Sequence, residues 1–443
     1  MKVKKKWPFD IWILTACAVL CSLYAITYKG YGMFTPKQEP ILQGFDDSFY
    51  YFWLRSAVID RDVDFFNELE IANTIDSVTK EFVLKGSRTD TGLLPNKYPV
   101  GWALANLPFF LFAHLISLLA GLPSTGFEPI YFIYIWIGQL IYTIISLFLT
   151  VKIISRFVPI NTAWLGMLFV WLSSPLLYYQ TARVSLSHNT VYFLTLTIFY
   201  LTFKIVDNVQ NWRTWFGLGF FSGFLIITRS TAVTYLIFPA LVIIKYIFSD
   251  NPGSQKLKQL ALFIIPSLAI VFVQLVAWKL LYGTWIIYTY EGENFDFLHP
   301  QIAPILFSHF HGLLNWHPLL CVGLIVFILC TFTKKSIPKS WIISFITIVY
   351  INASWHSWWF GSSFGHRAFE SSIFFAMLGY ALLLDISKKN WFITQSLYLV
   401  ANLACVWNLI LLSLYFTQLI ARDSPVSYSE RWSAVLKLLG LGG

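Results

Sequence analysis

Apolar runs long enough to cross the hydrocarbon layer of a membrane recur along the whole length of this chain. A span needs about 20 residues to cover roughly 30 Å, and in segments this uniformly apolar only a helix satisfies its own backbone inside lipid. The short alternating segments of a membrane barrel are missing from the sequence. The fold class that follows is all-α and integral to the membrane. Only 12% of the residues are charged, about half the share of a soluble domain.

The net charge of +9 does not mark a nucleic-acid binder, because the lysines sit in short clusters between the apolar runs. Those clusters are Lys2 to Lys6, Lys152 with Arg156, Lys204 with Arg213, Lys245 to Lys258, Lys334 to Lys339, and Lys388 with Lys389. The positive-inside rule places all of them on the cytoplasmic side, and the amino terminus with them. Spans are then expected near 9–28, 128–150, 161–179, 189–206, 213–229, 231–248, 259–282, 314–333, 340–355, 371–387 and 391–417, about eleven in all. The run at 100–119 is apolar enough to cross, yet counting it would put every later lysine cluster outside. It is therefore expected to lie at the outer interface, interrupted by Pro108. The result is a single polytopic domain over 1–443 in the cytoplasmic (inner) membrane. It has a long first extracytoplasmic loop, 29–127, with juxtamembrane helices, and a short outer tail, 418–443. All five cysteines lie in apolar segments, which supports neither a disulfide framework nor a thiolate metal site.

Within the first outer loop the stretch GFDDSFYYFWLRS spends two acids side by side, Asp46 and Asp47. A helix is expected over Ser48 to Asp60, with Phe49, Phe52 and Trp53 on its apolar face. A helix cap accounts for one acid. The second, at a membrane surface, needs another role. Paired carboxylates can divide labour, one as general base on an acceptor hydroxyl and the other orienting it or holding a cation. That division suits glycosyl transfer from a lipid phosphate, a leaving group that needs positive charge nearby and no proton. Cations on the expected outer side are Arg55, Lys97, Arg183, Arg229 and Arg367, each of which also reads as an interfacial anchor, Arg55 most of all. His188, His311 and His366 fall on the same side. They too read either as site residues or as packing at an aromatic interface. In PNKYPVGW, Pro99 holds Tyr98 extended and sets Lys97 at headgroup depth.

Taken in order, the elements resemble those of the GT-C superfamily of integral membrane glycosyltransferases, close to bacterial members related to protein mannosyltransferases and the lipid A aminoarabinose transferase. The ordered set is the acidic pair Asp46 and Asp47, YYFWLRS, DVDFFNE, NKYPVGW, HGLLNWHP and GSSFGHRAF. The resemblance implies a first-loop acid as catalytic base, here Asp46 with Asp47 as its helper. It implies a polyprenyl-phosphate sugar as donor and an inverting transfer to an acceptor hydroxyl on a lipid, glycan or protein at the outer face. It also implies donor-phosphate contacts at Arg229 and Arg367. From the residues themselves, Lys97 and Arg183 are further phosphate candidates, and Tyr98, His188, His311 and His366 are other candidates for the site. This chain departs from the pattern in its Asp-Asp pair, in the single proline after Lys97, and in TARVSLSHN, which stands where some members carry a second acid. A divalent metal is thus left open, with Asp47 as its named ligand. Two rival readings are a lipid or sugar transporter or flippase, and a surface-polysaccharide polymerase or ligase. The first would place charges at mid-membrane in two related halves. The second would place its large loop late in the chain.

Overall fold

The computed structural model describes residues 42, 44–72, 75 and 77–441. The span expected near 9–28 and the Lys2 to Lys6 cluster lie outside the described residues. The rest is helical, with one isolated antiparallel bridge between Phe295 and Trp355. Each later expected span meets a helix, among them Pro129–Ile154, His188–Asp207, Trp212–Thr228, Gly253–Tyr282 and Trp391–Phe416. Among the described residues seven helices are long and apolar enough to cross a membrane. Three shorter apolar helices, Ile160–Leu172, Pro318–Thr333 and Ser340–Ser354, accompany them.

The differences from expectation fall where local chemistry overrides the apolar run. The span expected at 161–179 breaks after Leu172 and resumes as Leu176–Thr181, because Pro175 cannot continue the hydrogen-bond ladder. Pro318 likewise opens the helix expected from 314. Tight 3-10 turns, Ser230–Leu236 and Arg367–Ser372, precede two others. The helix Gly101–Leu119 runs through Pro108 without the expected interruption, and by length and composition it is one of the seven candidate crossings. The first-loop helix is Phe45–Arg55 rather than Ser48 to Asp60, and a π-helical turn, Ser56–Asp60, completes it. Asp46 and Asp47 therefore lie inside its first turn. The cap position is Gly44, and no side chain caps the end, which overturns the capping role expected for one acid.

The chain separates into two compact units. The first comprises the described residues of Met1–Phe148 with Tyr179–Thr190 and Leu275–Thr289. Its helix Phe45–Arg55 is buried on nearly every side, with Tyr50 against Trp102, and Tyr51 against Phe110 and Phe132. Beneath lies a chain of amides. Gln139 donates to Asn106 at 3.0 Å and to Thr190 at 3.1 Å, while Asn189 donates to both oxygens of Gln139 at 2.8 Å. Removing one member would orphan its buried partners, at about 1–3 kcal/mol each.

The second unit comprises Leu149–Tyr178, Val191–Gln274 and the described residues of Tyr290–Gly443. Its core is aromatic, with Trp341 set among Phe199, Phe238 and Phe374. Helices Pro318–Thr333 and Ile373–Ser387 touch backbone to backbone. A Cβ on Gly379 would overlap the Gly323 carbonyl, and one on Gly323 the Ala376 carbonyl. Only glycine permits that approach.

Candidate active site

The sequence-predicted residues divide between the two units. Asp46, Asp47, Lys97, Tyr98, Arg183 and His188 belong to the first, and Arg229, His311, His366 and Arg367 to the second.

In the first unit the two acids differ sharply in environment. Asp47 is fully buried and accepts hydrogen bonds from Arg183 Nη2 at 3.0 Å and Ser185 Oγ at 2.9 Å. Burial raises its carboxyl above the usual range, against the pull of Arg183, and the neighbouring charge of Asp46 raises it further. Asp46 is half-buried, and the Tyr98 hydroxyl donates to its Oδ1 at 2.5 Å. Both acids sit where the free amides of a helix start favour negative charge. The pair thus presents one oriented, reachable carboxylate and one locked in place.

Tyr98 reaches Asp46 because residues 96–98 are laced to the helix. Trp53 Nε1 donates to the Tyr98 carbonyl at 2.9 Å, and Asn96 Nδ2 to the Phe49 carbonyl at 2.8 Å. Lys97 is half-buried, its Nζ 5.7 Å from the centre of the Tyr98 ring. The 181–189 segment is fastened to the same helix by Arg183 and Ser185 on Asp47 and by Tyr50 donating to Ser187 at 3.2 Å. His188 is buried at the start of its helix, its ring 4.9 Å from that of Tyr179.

Farther along the same helix, Arg55 Nη1 bonds both Asp60 and Glu68, the latter at 2.9 Å, and its Nε donates to the Thr125 carbonyl at 2.9 Å. Glu68 is fully buried. Burial pushes its carboxyl up to about 8, against its own backbone amide and Arg55. This is the structural place of the DVDFFNE element.

In the second unit the four predicted residues gather at one loop. Arg229 lies over the Phe360 ring at 5.8 Å, and that ring is 5.3 Å from His366. Burial lowers His366 to about 3, and the charges of Arg367 and Arg229 add to the shift. His311 is lowered to about 4, again chiefly by burial, with Arg367 contributing. Both imidazoles are neutral near pH 7. Each Nε2 faces a backbone carbonyl, that of Trp358 at 2.8 Å for His366 and that of Arg422 at 3.0 Å for His311. The proton therefore sits on Nε2, and Nδ1 is left as an acceptor. His311 and Phe360 adopt left-handed backbone conformations, φ 61° and 57°, uncommon for non-glycine residues and frequent at functional sites.

Among the described residues no group of three or more His, Cys, Asp or Glu side chains is placed to hold a metal ion. Asp47, the named candidate ligand, has its oxygens on a guanidinium and a hydroxyl. With Asp47 so engaged, these residues do not fit a divalent-cation site. Sequence reasoning missed Ser185, Asn96 and the buried Glu370. For Asn96 a signal existed, an amide inside the proline-bracketed PNKYP.

No family model matches the chain, and no curated protein matches it at the significance required. Solved structures do. One is ArnT of Cupriavidus metallidurans in its apo state, 13% identical at a TM-score of 0.52, over 97% of this chain and 71% of that one. Another is the oligosaccharyltransferase of Archaeoglobus fulgidus in its apo form, 11% identical at a TM-score of 0.50, over 98% of this chain and 58% of that one. At such identities the likeness is one of fold. The chain shares the fold of these two structures, in keeping with the resemblance to the GT-C superfamily seen in the sequence.

Proposed function

We propose that the protein is an inverting glycosyltransferase of the cytoplasmic membrane. It moves a sugar from a polyprenyl-phosphate donor to an acceptor hydroxyl at the outer face. The observation that carries this reading is the division between the two adjacent acids: Asp47 is buried on Arg183 and Ser185, while Asp46 stays half-buried and held by Tyr98.

In this scheme Asp46 takes the proton of the acceptor hydroxyl as its oxygen bonds the anomeric carbon. The bond from that carbon to phosphate oxygen breaks with inversion. The phosphate departs with its electron pair and needs only cations, for which Lys97 beside Tyr98 is proposed. Arg229 and Arg367 keep the phosphate-contact role that the resemblance gives them. Asp47 and Arg183 orient the helix that carries the base. His311 and His366, neutral acceptors beside two arginines, suit hydroxyl groups better than a second anion.

The test is incubation of the purified protein with a panel of polyprenyl-phosphate sugars and measurement of the released polyprenyl phosphate. Asp46→Asn should abolish release while membrane insertion is unchanged. Full activity in that variant would reject Asp46 as the base.

A further inference from the structure

Asn96 is a buried amide that bonds both the helix carrying Asp46 and the backbone of Tyr98. It is 1% exposed. Its Nδ2 donates to the Phe49 carbonyl at 2.8 Å, in the helix turn that follows the acids. Its Oδ1 accepts from the Tyr98 amide at 3.1 Å, and its carbonyl accepts from the Tyr282 hydroxyl at 3.0 Å. One amide thus fixes the backbone of Tyr98 relative to the helix that carries Asp46. Trp53 holds the other edge of the same residue through the Tyr98 carbonyl, and the Tyr98 ring packs 4.7 Å from Tyr50. With its backbone and ring both fixed, the Tyr98 hydroxyl has little freedom except to meet Asp46.

We infer that Asn96 is a positioning residue for the transfer proposed above, acting through Tyr98 to hold the Asp46 carboxylate in its attacking orientation. The inference rests on the reading of Asp46 as base. A hydrogen bond donated to a carboxylate favours its ionised form. Loosening Tyr98 should therefore weaken the base in geometry and in protonation state together.

A double-variant cycle on the purified full-length protein tests this, with kcat followed against pH. Tyr98→Phe should lower kcat about tenfold or more and move the acidic limb of the profile upward by about one pH unit. Asn96→Ala should do the same in the same direction, with little change in KM. The combined variant should be no worse than Tyr98→Phe alone, since both changes remove one interaction. Additive losses, or an Asn96→Ala profile that falls without shifting, would overturn the inference. If Asn96→Ala does not fold, Asn96→Asp keeps the acceptor for the Tyr98 amide, loses the donor to Phe49, and is scored by the same criteria.

Asp46→Asn, run alongside, separates the two levels. Full activity there removes the base and this inference with it. An inactive Asp46→Asn together with additive losses overturns only Asn96. An infrared carboxylate band that disappears in Asp46→Asn supplies a readout independent of turnover. Its titration midpoint should rise in both Tyr98→Phe and Asn96→Ala, and an unmoved midpoint rejects the inference.

Discussion

Arg183 and Asp47, 136 positions apart in sequence, form an ion pair at 3.0 Å in which the carboxylate has no solvent exposure. A buried charge stripped of its partner costs about 3–5 kcal/mol, whereas removing both partners costs far less. Arg183→Ala should therefore lower the thermal midpoint of the detergent-solubilised protein markedly. The double change Asp47→Asn with Arg183→Gln should recover most of that loss. If the double variant melts below the single one, the pair does not hold this segment to the helix.

The pH dependence of stability should carry the mark of Glu68. Its folded carboxyl is raised from 4.5 to about 8, so between those values the folded state holds a proton that the unfolded state has released. Stability then falls as pH rises through that window. His311 and His366 act in the opposite sense and only below about 6.5, where unfolded histidine takes up protons that the folded rings refuse. Asp47, whose carboxyl burial also raises, acts in the same sense as Glu68, so the Glu68 share is read as a difference between variants. Melting curves should show the wild type losing stability from pH 6.5 to 8, and Glu68→Gln losing less. A flat wild-type curve contradicts the raised carboxyl.

On the proposed mechanism, Arg229→Ala and Arg367→Ala should each lower kcat by about 10²–10³-fold, the scale for removing one donor to developing charge. Lysine at either position should restore part of the loss, since it keeps the charge and loses the planar fork. Steady-state assays with a polyprenyl-phosphate sugar decide it. Unchanged kcat and KM in either alanine variant would remove that arginine from the phosphate site.

Gly379→Val should destabilise the second unit severely, because its side chain has no space beside the Gly323 carbonyl. Gly217→Ala is a fair control. A Cβ there meets only a flexible leucine side chain, Leu201, at 3.4 Å. Similar yields and melting points for both variants would contradict the backbone contact.

Much of the helical layout was legible, because apolar length is carried locally. The helices Pro129–Ile154, His188–Asp207 and Trp391–Phe416 fall within a few residues of expectation. Breaks such as Pro175 announce themselves in retrospect, but an apolar run conceals them when hydropathy alone is followed. The two acids stand out in the sequence as a pair, adjacent in a chain with few charges. What separates them was hidden, since Asp47 is buried by residues 183 and 185 and Asp46 is held by residue 98. The fate of a carboxylate depends on such distant partners, which no window of sequence contains. Asn96 was overlooked because a neutral amide leaves no trace in charge or hydropathy.

The hydrogen bonds on the far side of residues 96–98 have a consequence for biosynthesis. The Asn96 carbonyl is met by Tyr282, 186 residues later, and the Lys97 carbonyl by Thr289, 192 residues later. At roughly 5–20 residues per second, the ribosome needs about 10–40 s after making Tyr98 before its bracing partners exist. A nascent chain arrested before residue 282 would thus carry both aspartates in place on a helix and still lack the outer brace of the tyrosine that aims one of them.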